Sequence, residues 1–212
     1  MEKIEHLLAS KLLSISAIQL QPDNPFTWAS GWESPIYTDT RRTLSYPDIR
    51  TFIKIELCRC IIENFPDVQA VASVSTGAIP QGVLVADELN LSYAYVRSTP
   101  KDHGLENLIE GNLKPGQKVV LLEDIISTGA NTLKAANDIR DAGCEVVGIV
   151  SMFSFDFPEA TEVVHQIGVK FVCLTNYHEL LRTALETNYI NDDDVVALTE
   201  WHENPRSWIP KR

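Results

Sequence analysis

Two short stretches, Val119-Val120-Leu121-Leu122 and Val146-Val147-Gly148-Ile149-Val150, are apolar from end to end and rich in β-branched residues. A strand with one wet face alternates apolar and polar side chains, whereas a continuous apolar run fits a strand covered on both faces. Helices on both sides of a parallel sheet create that environment, so these two runs narrow the chain to an α/β architecture. The neighbouring segments agree. Residues 68–75 form a β-branched run, 79–89 read as a helix and 93–97 as a short strand. Residues 118–123 form a strongly apolar strand. A helix over 128–142 is stopped by Gly143 at a C′ position, where glycine is favoured. A strand over 145–153, a helix over 158–167 and a strand over 170–175 continue the alternation. Helices at 179–187 and 192–201 end it. Upstream, residues 2–14 carry Ile4, Leu7, Leu8 and Leu12 on one helical side. Residues 22–46 hold five aromatics and three prolines without a helical period and read as loops and short strands. A helix opens near Pro47, a residue tolerated in a first turn. Its face is Ile49, Phe52, Ile53, Leu57, Cys60 and Ile61, and it ends near Pro66.

Charge excludes some functions. Eighteen Lys and Arg against 29 Asp and Glu leave a net charge of −11. Nucleic-acid binders draw affinity from basic surfaces on phosphates, and anionic membranes recruit basic clusters, so neither partner is expected. No run approaches the roughly 18 apolar residues of a membrane span, and the start, Met1-Glu2-Lys3-Ile4-Glu5-His6, lacks a secretory pattern. Cys58, Cys60, Cys144 and Cys173 match no zinc spacing and read as reduced thiols of a cytoplasmic protein. Asp192-Asp193-Asp194 falls in a helical first turn, where the dipole favours negative charge, so it is read as capping and given no metal.

Chemistry concentrates after the apolar strand at 118–123. Glu123 and Asp124 follow Leu122, and Ile125-Ile126-Ser127-Thr128-Gly129-Ala130-Asn131 then lead into a helix. Ligands of open α/β sheets bind beyond the carboxyl ends of strands, and a helix N-terminus with free amides is an anion site. The spacing alone equally fits a strand end with a Ser or Thr N-cap. A ribose 5-phosphate would satisfy both halves, with phosphate on the amides and hydroxyls on the acids. No P-loop and no Gly-x-Gly-x-x-Gly occurs. A second unusual segment, Ser98 to Gly116, holds three glycines and two prolines. It reads as one long loop, a length associated with lids and binding loops.

The stretch from Val119 to Asn131 resembles the phosphoribosyl pyrophosphate (PRPP) motif of type I phosphoribosyltransferases, with Ala130 and Asn131 as mild departures. Three further segments resemble the orotate phosphoribosyltransferase family. They are Phe26-Thr27-Trp28-Ala29-Ser30-Gly31 with Ser34-Pro35-Ile36-Tyr37-Thr38-Asp39-Thr40-Arg41, then Ser75-Thr76-Gly77-Ala78-Ile79-Pro80, then Tyr95 to Gly104. The match runs in order over roughly residues 20–155. It implies a single parallel-sheet domain over 1–212, with a core at about 47–175 and a small hood from about 1–46, and leaves 176–212 open between hood and core. It also implies transfer of a phosphoribosyl group from PRPP to orotate, with magnesium carried by PRPP near Glu123 and Asp124 and no direct protein metal site.

By the same resemblance, Arg97, Lys101 and His103 bind pyrophosphate, together with the Ser75-Thr76-Gly77 loop. Lys101 is the main catalytic residue of the mobile loop, and His103 and Asp124 complete the catalytic set. Glu123 and Asp124 take the ribose hydroxyls. Residues Ile125 to Asn131 cradle the 5′-phosphate. Ser127, Phe26 and Arg41 lie at orotate, with Arg41 equally fit for an interface salt bridge. The loop, residues 98–111, reaches the active site of a partner subunit, which implies a homodimer. Three positions depart from common family patterns: Ala29 and Ser98 where lysines are frequent, and Ser154-Phe155 where some relatives place an arginine. These departures touch base recognition more than PRPP binding. A transferase for another nucleobase and a PRPP-sensing regulator are the competing expectations.

Overall fold

The computed structural model describes residues 3–27, 33–98 and 108–210. It divides into two compact units, one from residues 1–46 with 175–212 and one from 47–174.

In the first unit, α1 (Ile4–Ser14) buries Leu8, Ala9, Leu12 and Leu13. The strands that follow are short. β1 (Ile18–Leu20) pairs antiparallel with β4 (Ile36–Thr38), and β2 (Phe26–Thr27) with β3 (Glu33–Ser34). A 3-10 turn spans Thr40–Ser45.

The second unit opens with α2 (Pro47–Asn64). The chain then runs through β5 (Ala70–Val74), α3 (Ile79–Leu89), β6 (Ser92–Val96), β7 (Ile109–Gly111), β8 (Lys118–Ile126), α4 (Ala130–Asp141), β9 (Glu145–Ser154), α5 (Pro158–Ile167) and β10 (Lys170–Asn176). The six strands form one sheet in the order β10-β9-β8-β5-β6-β7. The pairs β5–β6, β5–β8 and β8–β9 are parallel and β6–β7 is antiparallel. Val119, Val120, Leu121 and Leu122 are all buried, as are Ile149 and Val150, so the two apolar runs are interior strands. One side of this core joins Ala70, Ala72, Leu121 and Ile149 to Ala135, Ala136 and Ile139 of α4. On α2 it is Cys58 that is buried, while Cys60 and Phe52 are half-buried. All four cysteines are free thiols.

Back in the first unit, α6 (Tyr177–Glu186) packs on α1, and α7 (Asp192–Glu203) follows. His6 Nδ1 lies 3.1 Å from Thr183 Oγ1 in the α1–α6 contact. Asp194 completes a capping box with Asn191 at the start of α7. No described helix is long and apolar enough to cross a membrane.

Two expectations are corrected. Residues 98–116 are not one continuous loop, because Ile109–Gly111 pairs with β6 through Val96↔Ile109, Tyr95↔Glu110 and Ala94↔Gly111. A three-residue edge strand is too short to leave a period-2 signature, so its glycine and the prolines around it dominated the reading. The apolar strand expected over 118–123 continues to Ile126, because β9 offers partners as far as Ser154.

Candidate active site

The extension of β8 organises the site. Its pairing to β5 ends at Ser73↔Leu122, while its pairing to β9 continues to Ile126↔Ser154. Beyond Leu122, one edge of β8 is therefore free of β5, next to the turn Ser75-Thr76-Gly77 that follows β5. The acids lie inside this overhang. Successive residues of a strand point to opposite faces, so Glu123 and Asp124 diverge and do not form a side-by-side pair.

Glu123 turns toward α4. It is buried, and Oε1 accepts a hydrogen bond of 3.2 Å from the Thr132 hydroxyl. Burial pushes its carboxyl up to about 8, the neighbouring Asp124 charge adds to the rise, and the Thr132 hydrogen bond opposes it. This environment therefore favours the protonated form of Glu123 over the charged one. The charge expected of two acids beside a phosphate is reduced accordingly.

Asp124 is half-buried and turns toward the Ser75–Gly77 turn. A methyl group placed on Gly77 would overlap the Asp124 carboxylate, so only glycine allows this approach. Thr76 is exposed, Ser75 is half-buried, and the Ser75–Thr76 peptide bond is cis. Ser75 N donates to Val96 O at 2.9 Å, which fastens the turn to the end of β6.

The helix N-terminus lies one step further along the chain. α4 begins at Ala130, two residues later than expected, and Gly129 is its N-cap. Gly129 has φ 77°, a left-handed conformation that explains the glycine, and no side chain caps the helix. The reading of Ser127 or Thr128 as a structural N-cap is thereby overturned. Both residues are exposed, as are Ala130 and Asn131. The first-turn amides of α4 thus lie without a side-chain cap at the carboxyl end of β8, an arrangement suited to an anion. Of the nine residues from Glu123 to Asn131, Ile126 packs into the core and Ile125 is half-buried.

A crevice lined by Ser75, Arg97, Ser98, Asn131, Lys134 and Asp138, with Val74, Val96 and Ala135 beneath, links the turn, the end of β6 and α4. It brings Arg97 into the neighbourhood of the Ser75 turn. Lys134 joins this group without having been singled out in the sequence. Its Nζ donates to Asp138 Oδ2 at 3.0 Å. Thr132, the partner of Glu123, was also missed. Its signal is positional, since it occupies the first turn of the helix that follows the acid-bearing strand.

Phe26 and Arg41 belong to the other compact unit. Phe26 lies in β2 with its ring 5.5 Å from that of Tyr37. Arg41 is exposed in the 3-10 turn, and its Nε donates to Asp39 Oδ1 at 2.6 Å. At the end of β9, Phe155 is buried, stacked on Phe157 at 5.3 Å and edge-on to Phe153. Lys101 and His103, and the Trp28 to Gly31 portion of the N-terminal signature, lie outside the described residues. Among the described residues, no group of three or more His, Cys, Asp or Glu side chains is placed to hold a metal.

Residues 51–182 match the family model described as the phosphoribosyl transferase domain, and they include the strand overhang with its two acids and the uncapped helix N-terminus. Over 208 residues the chain is 58% identical to the orotate phosphoribosyltransferase of Phocaeicola vulgatus, covering 98% of both chains. Its structure is similar to that of orotate phosphoribosyltransferase from Aeropyrum pernix, with a TM-score of 0.75 and 25% identity over 87% of this chain and 99% of that one. It is also similar to the UMP synthase of Leishmania donovani, with a TM-score of 0.75 and 29% identity, over 93% of this chain and 42% of that longer one. The chain belongs to the orotate phosphoribosyltransferase family.

Proposed function

We propose that the protein transfers the phosphoribosyl group of PRPP to orotate, releasing pyrophosphate and forming orotidine 5′-monophosphate, a step of pyrimidine biosynthesis. The observation that carries this reading is the meeting, around the β8 overhang, of an uncapped helix N-terminus, a half-buried acid and the Ser75–Gly77 turn. The relative from Phocaeicola vulgatus, named as an orotate phosphoribosyltransferase and similar over nearly its full length, supports the choice of base.

The 5′-phosphate rests on the backbone amides and hydroxyls of Ser127 to Asn131, where a helix N-terminus favours an anion without a cationic side chain. Asp124 receives ribose hydroxyls from the open side of the strand. Glu123 supports the same region from behind, through the hydrogen bond with Thr132. Pyrophosphate lies along Ser75-Thr76-Gly77 and Arg97, with Lys101 and His103 supplied by the loop. As the bond from ribose to pyrophosphate breaks, positive charge grows on the ribose and negative charge on the leaving group. The residues act by placing cations and N–H donors against that leaving group and by holding the base in line. Ser127 is the residue of this unit assigned to orotate. Loop closure excludes water, which protects the ribosyl cation from hydrolysis.

Magnesium fits the donor chemistry here. The half-buried Asp124 carboxylate lies nearby, and its negative charge favours such a cation carried on the phosphate and hydroxyl oxygens of PRPP without a direct protein ligand. When bound with PRPP, the ion neutralises charge on the leaving group. The segment between Arg97 and β7 serves the site of a second copy, so the working unit is a homodimer in the cytoplasm.

Incubation with magnesium, PRPP and one base at a time tests this reading. Orotate consumption, followed by its ultraviolet absorbance, is expected. Turnover of hypoxanthine or uracil without loss of orotate would overturn it. PRPP binding with no turnover of any base would indicate a regulator instead.

A further inference from the structure

Arg97 stands at the root of the loop, and three contacts define its position. Its backbone N–H donates to Leu108 O at 2.8 Å, which extends the β6–β7 ladder by one rung. The carbonyl of Val96, directly before it, accepts from Ser75 N at 2.9 Å, so the strand end is tied to the Ser75–Gly77 turn. Its side chain crosses to the edge strand, where Nη1 donates to Oε1 of Glu110 at 3.3 Å. The register pairs Tyr95 with Glu110, so Arg97, two residues on, is a diagonal neighbour of Glu110 on the same face of the hairpin. Both side chains are largely buried, at 32% and 24% exposure. The crevice that includes Arg97 also includes Ser75 and Asn131.

We infer that Glu110 is a positioning residue for the pyrophosphate subsite, holding the Arg97 guanidinium beside the loop root before PRPP arrives. The inference rests on the reading of Arg97 as a pyrophosphate ligand and names the group that orients it. A guanidinium carries five N–H donors in a rigid fork, so one bond to Glu110 orients the group without exhausting it. A long side chain that is already ordered loses less entropy when it meets an anion. Ser98, which follows Arg97, brings no second cation to this point of the chain, so the orientation of Arg97 matters more. The edge strand at Ile109–Gly111 thus acquires a role beyond closing the sheet: it carries the carboxylate that sets the arginine.

Steady-state kinetics of the full-length enzyme test the inference with Glu110→Gln, Glu110→Asp, Arg97→Ala and the double variant Arg97→Ala/Glu110→Gln, each checked for an unchanged thermal melt. Arg97→Ala is expected to raise KM for PRPP. Glu110→Gln should raise the same KM about fivefold, the scale of one partly exposed ion pair, while kcat and KM for orotate stay within about twofold. Glu110→Asp should recover part of the loss, and the double variant should be no worse than Arg97→Ala. If Arg97→Ala leaves KM for PRPP unchanged, the pyrophosphate role of Arg97 fails and the inference falls with it. If Arg97→Ala raises KM but Glu110→Gln does not, the inference alone is overturned. A lower KM in Glu110→Gln would overturn it too, because Glu110 would then compete with pyrophosphate for the arginine. Additive losses in the double variant would show that Glu110 acts elsewhere.

Discussion

Two helix N-termini in this protein handle the same backbone problem in opposite ways. At α7 the Asn191 side chain accepts from Asp194 N at 3.0 Å, and the Asp194 carboxylate accepts from Asn191 N at 3.0 Å. The acidic run is absorbed into the helix, and two of the amides that would otherwise seek an anion are occupied. At α4 the N-cap is Gly129, which has no side chain to offer, and the preceding Ser127 and Thr128 are exposed. Acids accompany both helix starts. Those of α7 sit in the helix and complete its capping, whereas those of β8 precede the helix by several residues and leave its amides available. Acidity near a helix start therefore says little by itself. Whether the acid consumes the amides or stands back from them separates a structural end from a binding end.

The largest test of this contrast is Asp124→Asn against Asp194→Asn. The first should lower kcat/KM for PRPP by roughly a hundredfold, the scale of removing one electrostatic contact to a transition state. The second should leave that ratio unchanged in the same assay.

Glu123 provides the next test. Its carboxyl is pushed up to about 8 in the folded protein, above its ordinary range. Below the ordinary range both folded and unfolded chains hold the proton. As pH rises toward 8 the unfolded chain releases it and the folded chain keeps it, so stability from this group falls, then levels off above 8. The loss is on the order of a few kcal/mol by the size of such shifts. Urea denaturation at pH 5 and pH 8 should show this decline, and Glu123→Gln should remove most of it. An equally steep decline in the variant would place the proton elsewhere.

Gly77→Ala is expected to have a smaller effect. The added methyl must displace the Asp124 carboxylate, and a roughly tenfold fall in kcat/KM for PRPP is expected, with a minor change in melting temperature. A loss confined to stability would mean that the approach of Gly77 to Asp124 serves packing alone. The smallest effect belongs to the capped helix: Asn191→Ala should cost about 1 kcal/mol in urea denaturation and leave KM for both substrates unchanged. A kinetic defect in that variant would break the division between the two N-termini.

Much of this molecule was legible from its residues. The apolar runs at Val119–Leu122 and Val146–Val150 specified interior strands because a continuous β-branched stretch has no solvated face to offer. Gly143 marked the end of α4, and helices such as Ile79–Leu89 and Pro158–Ile167 fell where their periodicity placed them. The acids and the small turn after them marked the site, since that order of residue types is local. The partnerships were not legible. Nothing in the spacing of Glu123 and Thr132, or of Arg97 and Glu110, distinguishes those pairs from their neighbours. Nor does the sequence around Ile109–Gly111 declare a strand, because three residues carry too little pattern against the surrounding glycine and prolines.

The sequence by itself determined the class of fold and the location of the acid-bearing strand with the small turn after it, because both depend on residue type at short range: apolar runs, turn glycines and adjacent acids. Only the tertiary structure decided that β8 runs past β5 to Ile126 and that Glu123 and Asp124 part company across it. It alone turned one acid into a buried support hydrogen-bonded to Thr132 and left the other facing Gly77. Strand pairing sets these outcomes. β9 lends β8 partners that β5 does not, and each added residue of strand sends its side chain to the opposite face.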